Sequence, residues 1–406
     1  MTQETINFPR ETTMQRIASA LEQQAAAVRI LAKDSLIAIK SDWKAIQDLV
    51  RQGLGPSVFN IGDQFIDEWV DVDANNAKYS ITWDITHFGP VTLKDGETVP
   101  GMYLQMHYAM PWDLQFDNYE AMTYAEAEMP AGTYTFKIAA TWSKALAGDY
   151  KFTLTKPVPA GGQIAGLQRL ADNDPSTWKI STYANGENQT AIETVSVTAG
   201  AAGTSLGTMT TAGGDIINSI HRIGYGYNRY SHSNLRLWLN AKGKKWWKSQ
   251  NKYDRAPGYN DSRSGLLSGF SDEFLAVLAE TKQAVSTNTV ADGGVTDYVY
   301  DKIFLPSLEQ EYFTPYNSGS AGVEGEYWEY HKRAKGLESP QPLGGSYTNV
   351  GAIRYRVNNH TSAVYMWLRS CYRSYGFNQY YVGPSGCAYY NLASSSHAVA
   401  PACVIA

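Results

Sequence analysis

Trp367-Leu-Arg-Ser-Cys-Tyr-Arg-Ser-Tyr-Gly-Phe-Asn-Gln-Tyr-Tyr-Val-Gly-Pro-Ser-Gly-Cys-Ala-Tyr-Tyr-Asn-Leu-Ala-Ser-Ser-Ser-His397 holds its only formal charges in Arg369 and Arg373. The wider segment from His360 to Ala406 has no Asp, Glu or Lys and is crowded with Tyr, Ser, Asn and Gly. That palette is the one antibody paratopes use. Tyr supplies a stiff amphipathic contact at low entropic cost, while Ser, Asn and Gly supply adaptable hydrogen bonding. One histidine stands between Trp367 and Ala406, so the segment lacks the base, nucleophile and metal set of a catalytic cleft. The reading is recognition, not chemistry.

The remainder of the chain agrees with a binding protein. Of its 406 residues, 18% are charged, which is low, and 13% are aromatic, which is high; 28 are Tyr and 11 are Trp. Such polar-capable aromatic surface concentrates at interfaces. The net charge of −5 argues against a nucleic-acid partner. No stretch approaches the about 18 apolar residues of a membrane span, so no membrane insertion is expected. The opening Met1-Thr-Gln-Glu-Thr-Ile-Asn has neither a basic nor an apolar region of a secretory signal, and synthesis in a cytoplasm is expected. Cys371, Cys387 and Cys403 are odd in number and sixteen residues apart, a spacing that fits neither a disulfide framework nor zinc.

Thr12 to Arg51 lacks Pro and Gly and reads as helix. Met14, Ile17, Leu21, Val28 and Leu31, then Leu36, Ile39, Trp43, Ile46 and Val50, repeat near 3.5, with Gln24 filling one seam position. A coiled coil explains that pattern, and an amphipathic helix lying on its own domain is the alternative. Beyond Gly53-Leu-Gly-Pro56 the period changes to two, as in Tyr134, Phe136 and Ile138 and again in Tyr150, Phe152 and Leu154. Ser233 and Ser271 each stand as the cap of a short helix, and strands are expected near Tyr298–Leu305, Ile353–Val357, Val364–Leu368 and Tyr380–Val382. The expected fold class is α+β, in three parts. Residues 1–55 form an N-terminal helical oligomerisation segment, 56–204 an antiparallel β-rich middle domain, and 205–406 a loop-dominated C-terminal domain.

Candidate chemistry elsewhere is thin. Lys242-Gly-Lys-Lys-Trp-Trp-Lys248 could stack on bases, but in an acidic chain it reads as a solvated helix end beside packing tryptophans. Glu324-Gly-Glu-Tyr-Trp-Glu-Tyr-His331 gathers three Glu and a His that could hold a metal or simply carry surface charge. His87 and His107 stand among aromatics and read as ordinary satisfied histidines. No G-x-S-x-G, H-E-x-x-H or EF-hand loop occurs. The expectation is no enzyme.

Asn228-Arg-Tyr-Ser-His-Ser-Asn-Leu-Arg-Leu-Trp-Leu-Asn240, Trp246-Trp247, Tyr253-Asp-Arg-Ala-Pro257, Gly269-Phe-Ser-Asp-Glu-Phe-Leu-Ala-Val-Leu278, Asp301-Lys-Ile-Phe-Leu-Pro-Ser-Leu308, Leu368-Arg-Ser370 and the ending Ala400-Pro-Ala-Cys-Val-Ile405 carry a resemblance. Together they resemble the C-type-lectin-fold variable proteins of diversity-generating retroelements in gut phages and prophages. Trp83-Asp-Ile-Thr-His-Phe88 and Leu104-Gln-Met-His-Tyr108 look like the usual upstream partner. The resemblance implies a C-terminal C-type-lectin-like fold. It also implies a phage receptor-binding or tail protein, placed in the virion after synthesis in the bacterial host, whose diversified face meets a bacterial surface protein or glycan. A homotrimer through the N-terminal helix would add avidity.

In that family adenines are the mutated bases, so Asn codons diversify toward residues such as Tyr, Ser, Phe, His, Cys, Leu, Gly, Arg and Asp, never Gln, Met, Lys, Glu or Trp. The ligand-binding positions implied are Tyr372, Arg373, Ser374, Tyr375, Phe377, Asn378, Tyr380, Cys387, Tyr389, Tyr390, Asn391, Leu392, Ser394 and His397. Gln379, Met366 and Trp367 are unreachable and read as framework. The sugar-binding tripeptides of calcium-dependent lectins are absent, so no cofactor is expected, with a structural calcium left open. Two alternatives remain: an oxidase like the formylglycine-generating enzymes, which needs a close cysteine pair not found here, and a purely structural virion protein.

Overall fold

The computed structural model describes residues 42–118, 123–124, 127–141, 146–160, 162–164, 168–169, 174–184, 190–212, 215–218, 227–250, 254, 256–260, 262–289, 292–314, 324–345 and 347–406. Its central sheet is built from the two ends of that range. Strands β1 (Gln64–Asp71), β2 (Ala77–Thr92) and β3 (Thr98–Met106) form an antiparallel meander. The last strand, Ala402–Ile405, pairs antiparallel with β3, and Ile303–Phe304 closes the sheet beyond it. Trp83, Ile85, Met102, Leu104, Met106, Val404 and Ile405 are all fully buried in one core that extends from Trp43 to Ala406. Apolar residues on alternate positions of β2 and β3 explain why these strands find the chain terminus: both faces must be covered.

The expected α+β class, with its N-terminal helix or coiled coil, β-rich middle domain and C-type-lectin-like end, is corrected. The described residues are β-rich, with five short α-helices, the longest being α1 (Trp43–Arg51). Positions Met14 to Ile39 of the expected coiled coil lie outside the described residues. The described part of that pattern packs within its own chain. Trp43, Ile46 and Val50 are buried in their own core, with the Trp43 ring 4.7 Å from Phe274 and 5.6 Å from Phe65. Gln47 Nε2 donates to the Ala406 main-chain oxygen at 2.8 Å. Asp42 caps α1 by accepting from Ala45 N at 3.0 Å, and Gly53 ends it in the left-handed region, φ 72°.

The expected boundaries at residues 55 and 204 also move. Residues 43–116 share the core of residues 230–406, whereas Tyr134, Phe136, Ile138, Tyr150, Phe152, Leu154, Trp178, Ile180 and Val197 form a second, separate core. The strands Gly132–Ile138 and Gly148–Leu154 pair antiparallel in it, Tyr134 opposite Phe152 and Phe136 opposite Tyr150. Thr204–Ala212 adds to Gly132–Ile138 in parallel, so this small sandwich is not purely antiparallel. In the sequence, the residues of this second core lie between Phe116 and Tyr230 of the first. A period of two shows a half-buried strand but not which sheet it joins, which is why one β block on the sequence is two in space.

Ser233 and Ser271 cap the helices Asn234–Leu239 and Asp272–Val277, accepting from Arg236 N at 3.2 Å and Phe274 N at 3.1 Å. The basic stretch is absorbed by packing. Lys242 and Lys244 each lie 3.3 Å from a carboxylate, Asp272 and Asp73, and the indole N–H groups of Trp246 and Trp247 donate to Arg263 O and Asn234 Oδ1.

Candidate binding face

Met366–Cys371, Asn378–Val382 and Ala388–Leu392 form a three-stranded antiparallel sheet from the charge-poor segment. The first strand is entirely buried: Trp367 donates its indole N–H to Leu114 O at 2.9 Å, and Gln379 on the next strand donates to Leu368 O at 2.6 Å. Met366, Trp367 and Gln379 thus carry the sheet from below.

Arg369, one of the two charges of the segment, is fully buried beneath it. Its guanidinium donates to Leu305 O at 2.8 Å, Gln310 Oε1 at 2.5 Å and Glu324 O. The Glu324 carboxylate accepts from Ser286 N at 2.7 Å and from the Ser370 hydroxyl. Burial raises the carboxyls of both Glu324 and its neighbour Glu309, the latter to about 8, where the adjacent Glu324 charge adds to desolvation. One positive charge stands among two crowded carboxyls, and burial with their mutual repulsion favours the protonated form of both.

Above this base lies a continuous run of rings. Phe377 packs on Tyr375 at 5.5 Å, Tyr375 on Tyr372 at 5.0 Å, and Tyr372 on Tyr390 at 4.3 Å. Tyr390 stacks on Tyr389 at 4.8 Å, within 8° of parallel. Tyr389 reaches Tyr381 at 6.5 Å, which meets Tyr365 at 5.3 Å and His397 at 5.0 Å. The register sets this order, since Tyr381 faces Tyr389 and Tyr380 faces Tyr390 across the strands. Burial lifts the Tyr390 phenol to about 12, with the phenols of Tyr372 and Tyr389 adding to it. His397, against Trp367 at 4.3 Å, is pushed down to about 4 by desolvation, so it is a neutral ring at physiological pH.

The fourteen candidate positions divide. Tyr389 is 47% exposed, and Tyr372, Arg373, Ser374, Tyr375, Phe377, Tyr390, Asn391, Leu392, Ser394 and His397 are half-buried on the face or its rim. Arg373 already spends its guanidinium on Gly294 O at 2.5 Å. Asn378, Tyr380 and Cys387 are corrected to interior positions, Tyr380 being only 3% exposed. Tyr380 and Asn378 lie on the inward side of their strand, and Cys387 closes the Gly383–Cys387 turn with its thiol toward Gly345 O. Two face residues escaped the sequence reading, Tyr365 at 48% exposure and the half-buried Tyr381. Tyr381 is half-buried where its neighbour Tyr380 is interior, and the sequence carried no signal of which of these adjacent tyrosines would be covered.

Other candidate chemistry disperses. In Glu324–His331 the side chains diverge, Glu324 to Ser370, Glu326 to His87 at 3.2 Å, Glu329 to Arg333 and His331 toward Glu311. His107 is held by Asp84 at 2.8 Å, a carboxylate partner the sequence did not suggest. Among the described residues no group of three or more His, Cys, Asp or Glu is placed to hold a metal ion. All three cysteines are free and buried, and burial pushes the Cys371 and Cys403 thiols well up, away from nucleophilic thiolate character. No helix among the described residues is long and apolar enough to cross a membrane.

Residues 209–406 match a family described as a domain of unknown function (DUF6273). The matched region contains the whole face, yet its last strand depends on β3, outside the match, for its pairing. No curated protein and no solved structure matched the chain.

Proposed function

We propose that the aromatic face is a recognition surface and that the protein is a variable protein of a diversity-generating retroelement, serving as a phage receptor-binding or tail protein. The observation that carries this reading is the unbroken run of rings from Phe377 to Tyr365 on a segment without Asp, Glu or Lys. Rigid aromatics bearing hydroxyls, mounted on a buried base, accept changes of side chain without changing the core. The partner class is a bacterial surface protein or glycan, and the site of action is the virion. Catalysis has no part in this reading.

The test is the DNA beside the gene and the same locus in sibling isolates. A reverse-transcriptase gene, with a near-copy of the last hundred or so nucleotides differing at adenines (about that length, for a segment this size), supports the reading. Substitutions among siblings should then fall at Tyr372 to Phe377 and Tyr389 to His397 and spare Trp367, Gln379 and Met366. Invariant siblings with no near-copy would leave a binder of fixed specificity and remove the retroelement.

A further inference from the structure

The loop between the first two strands of the face, residues 372–377, carries five of the candidate contact residues: Tyr372, Arg373, Ser374, Tyr375 and Phe377. A loop meant to bear changing side chains needs a fold that does not depend on them. Its main chain is held from outside. Asn228, fully buried and some 150 positions earlier, directs its amide Nδ2 at Asn378 O (2.7 Å), Tyr375 O (2.8 Å) and, more distantly, Tyr372 O (3.3 Å). An amide has two hydrogens, so the two short contacts are the principal bonds and the third is shared.

The amide cannot flip. Asn228 Oδ1 accepts from Asn288 Nδ2 at 2.9 Å, and Asn288 Nδ2 donates also to the Asp292 carboxylate, whose other oxygen takes the Tyr227 hydroxyl at 2.5 Å. A carboxylate therefore orients one amide and that amide orients the next. Thr289 adds a second hold, its N–H and its hydroxyl both donating to Arg373 O at 2.8 and 3.0 Å. Ala393 N donates to Phe377 O at 2.8 Å. The bonds that Asn228, Thr289 and Ala393 make to the loop strand all take its main-chain oxygens; of the loop's own side chains, Arg373 adds a bond to Gly294 O.

We propose that Asn228 is the positioning residue of the face: a side chain outside the candidate variable segment that fixes the loop backbone whatever side chains the loop carries. This rests on the recognition reading for its purpose, but its geometry and its test do not. Because the bonds go to oxygens present in every residue, substitutions at Tyr375 or Phe377 leave the clamp intact. Substitution of Asn228 by Asp keeps the shape and replaces the donor with an oxygen that repels the same carbonyls.

The experiment is native-state hydrogen exchange on the full chain, read at the amides of Tyr372, Tyr375, Thr289 and Ala393, whose acceptors are the loop itself. Asn228→Asp should speed exchange there by about tenfold or more and leave β1 to β3 unchanged. Tyr375→Ser and Phe377→Ser should stay within about threefold of the parent at the same amides. If the serine variants loosen the loop as much as Asn228→Asp does, ring packing holds it and the proposal fails. Unchanged exchange in Asn228→Asp also overturns it. Should Asn228→Asp not fold, Asn288→Ala frees the Asn228 amide to rotate and must give the same local increase. None of these outcomes bears on whether the locus is diversified, so the two readings fail separately.

Discussion

The indole N–H of Trp367 donates to the main-chain oxygen of Leu114 at 2.9 Å, joining the base of the aromatic face to the segment that precedes the sandwich in the sequence. The same region is sewn at three further points: Gln115 Nε2 to Ser394 O at 2.8 Å, Asp117 N to Ala393 O at 3.0 Å, and the pairing of Leu114 with His397. Asn228, which follows the sandwich in the sequence, holds the 372–378 loop.

Trp367 bears on stability through both packing and its hydrogen bond. It is fully buried against Phe116 and His397. Trp367→Ala should cost about 3–5 kcal/mol, read as a loss in chemical denaturation midpoint. Trp367→Phe should cost less but strand Leu114 O, so a variant as stable as the parent would show the hydrogen bond to be dispensable.

Burial along the strands separates contact from support. Tyr389→Ala, at an exposed position, should change stability by about 0.5 kcal/mol or less. Tyr380→Ala, at a buried one, should cost about 3 kcal/mol. Thermal unfolding of the two single variants checks the assignment; equal losses would mean that Tyr380 is not the interior residue of the pair.

Arg369 is a buried cation whose loss leaves Glu324 without compensation. Arg369→Ala should destabilise by about 3–5 kcal/mol, and pairing Arg369→Met with Glu324→Gln should recover much of it. Denaturant titration of both variants decides this. If the double variant is no better than the single, the hydrogen bonds of Arg369 to Leu305 O and Gln310 matter more than charge balance.

Glu309 sets a slope with pH. Its carboxyl is raised in the folded state to about 8 from an ordinary 4.5. Stability from this group is therefore full below 4.5 and is lost as the pH rises toward 8. Glu309→Gln has no proton to lose, so the variant should gain on the parent by at least about 1 kcal/mol between pH 5 and pH 8. His397, pushed the other way to about 4, loses its contribution as the pH falls from about 6.5, but it is common to both proteins and cancels in the difference. Melting temperatures of the pair across that range test the sign.

Much of the local structure was legible. Ser233 and Ser271 announced their helices because a cap is a contact between near neighbours. Alternation showed Tyr134, Phe136 and Ile138, and Tyr150, Phe152 and Leu154, to be strand residues, but not the register that sets Tyr134 opposite Phe152. What misled was the long apolar repeat ending in Trp43, Ile46 and Val50. Spacing shows that such a stripe must be buried but not what buries it, and here Phe65, Phe274 and the chain end do so.

Of the face, the sequence by itself determined the chemistry: a segment of Tyr, Ser, Asn and Gly without Asp, Glu or Lys makes an aromatic, hydroxyl-rich surface with no acidic group. Only the tertiary structure decided which of those rings point outward. Tyr380 and Tyr381 are the same residue in adjacent places, and the tertiary packing leaves the first 3% exposed and the second half-buried. It also decided that Asn228 serves this loop and that Ala402–Ile405 completes a sheet begun at Gln64. Those contacts join residues more than a hundred positions apart, and burial and hydrogen bonding choose such partners only when the whole chain is folded.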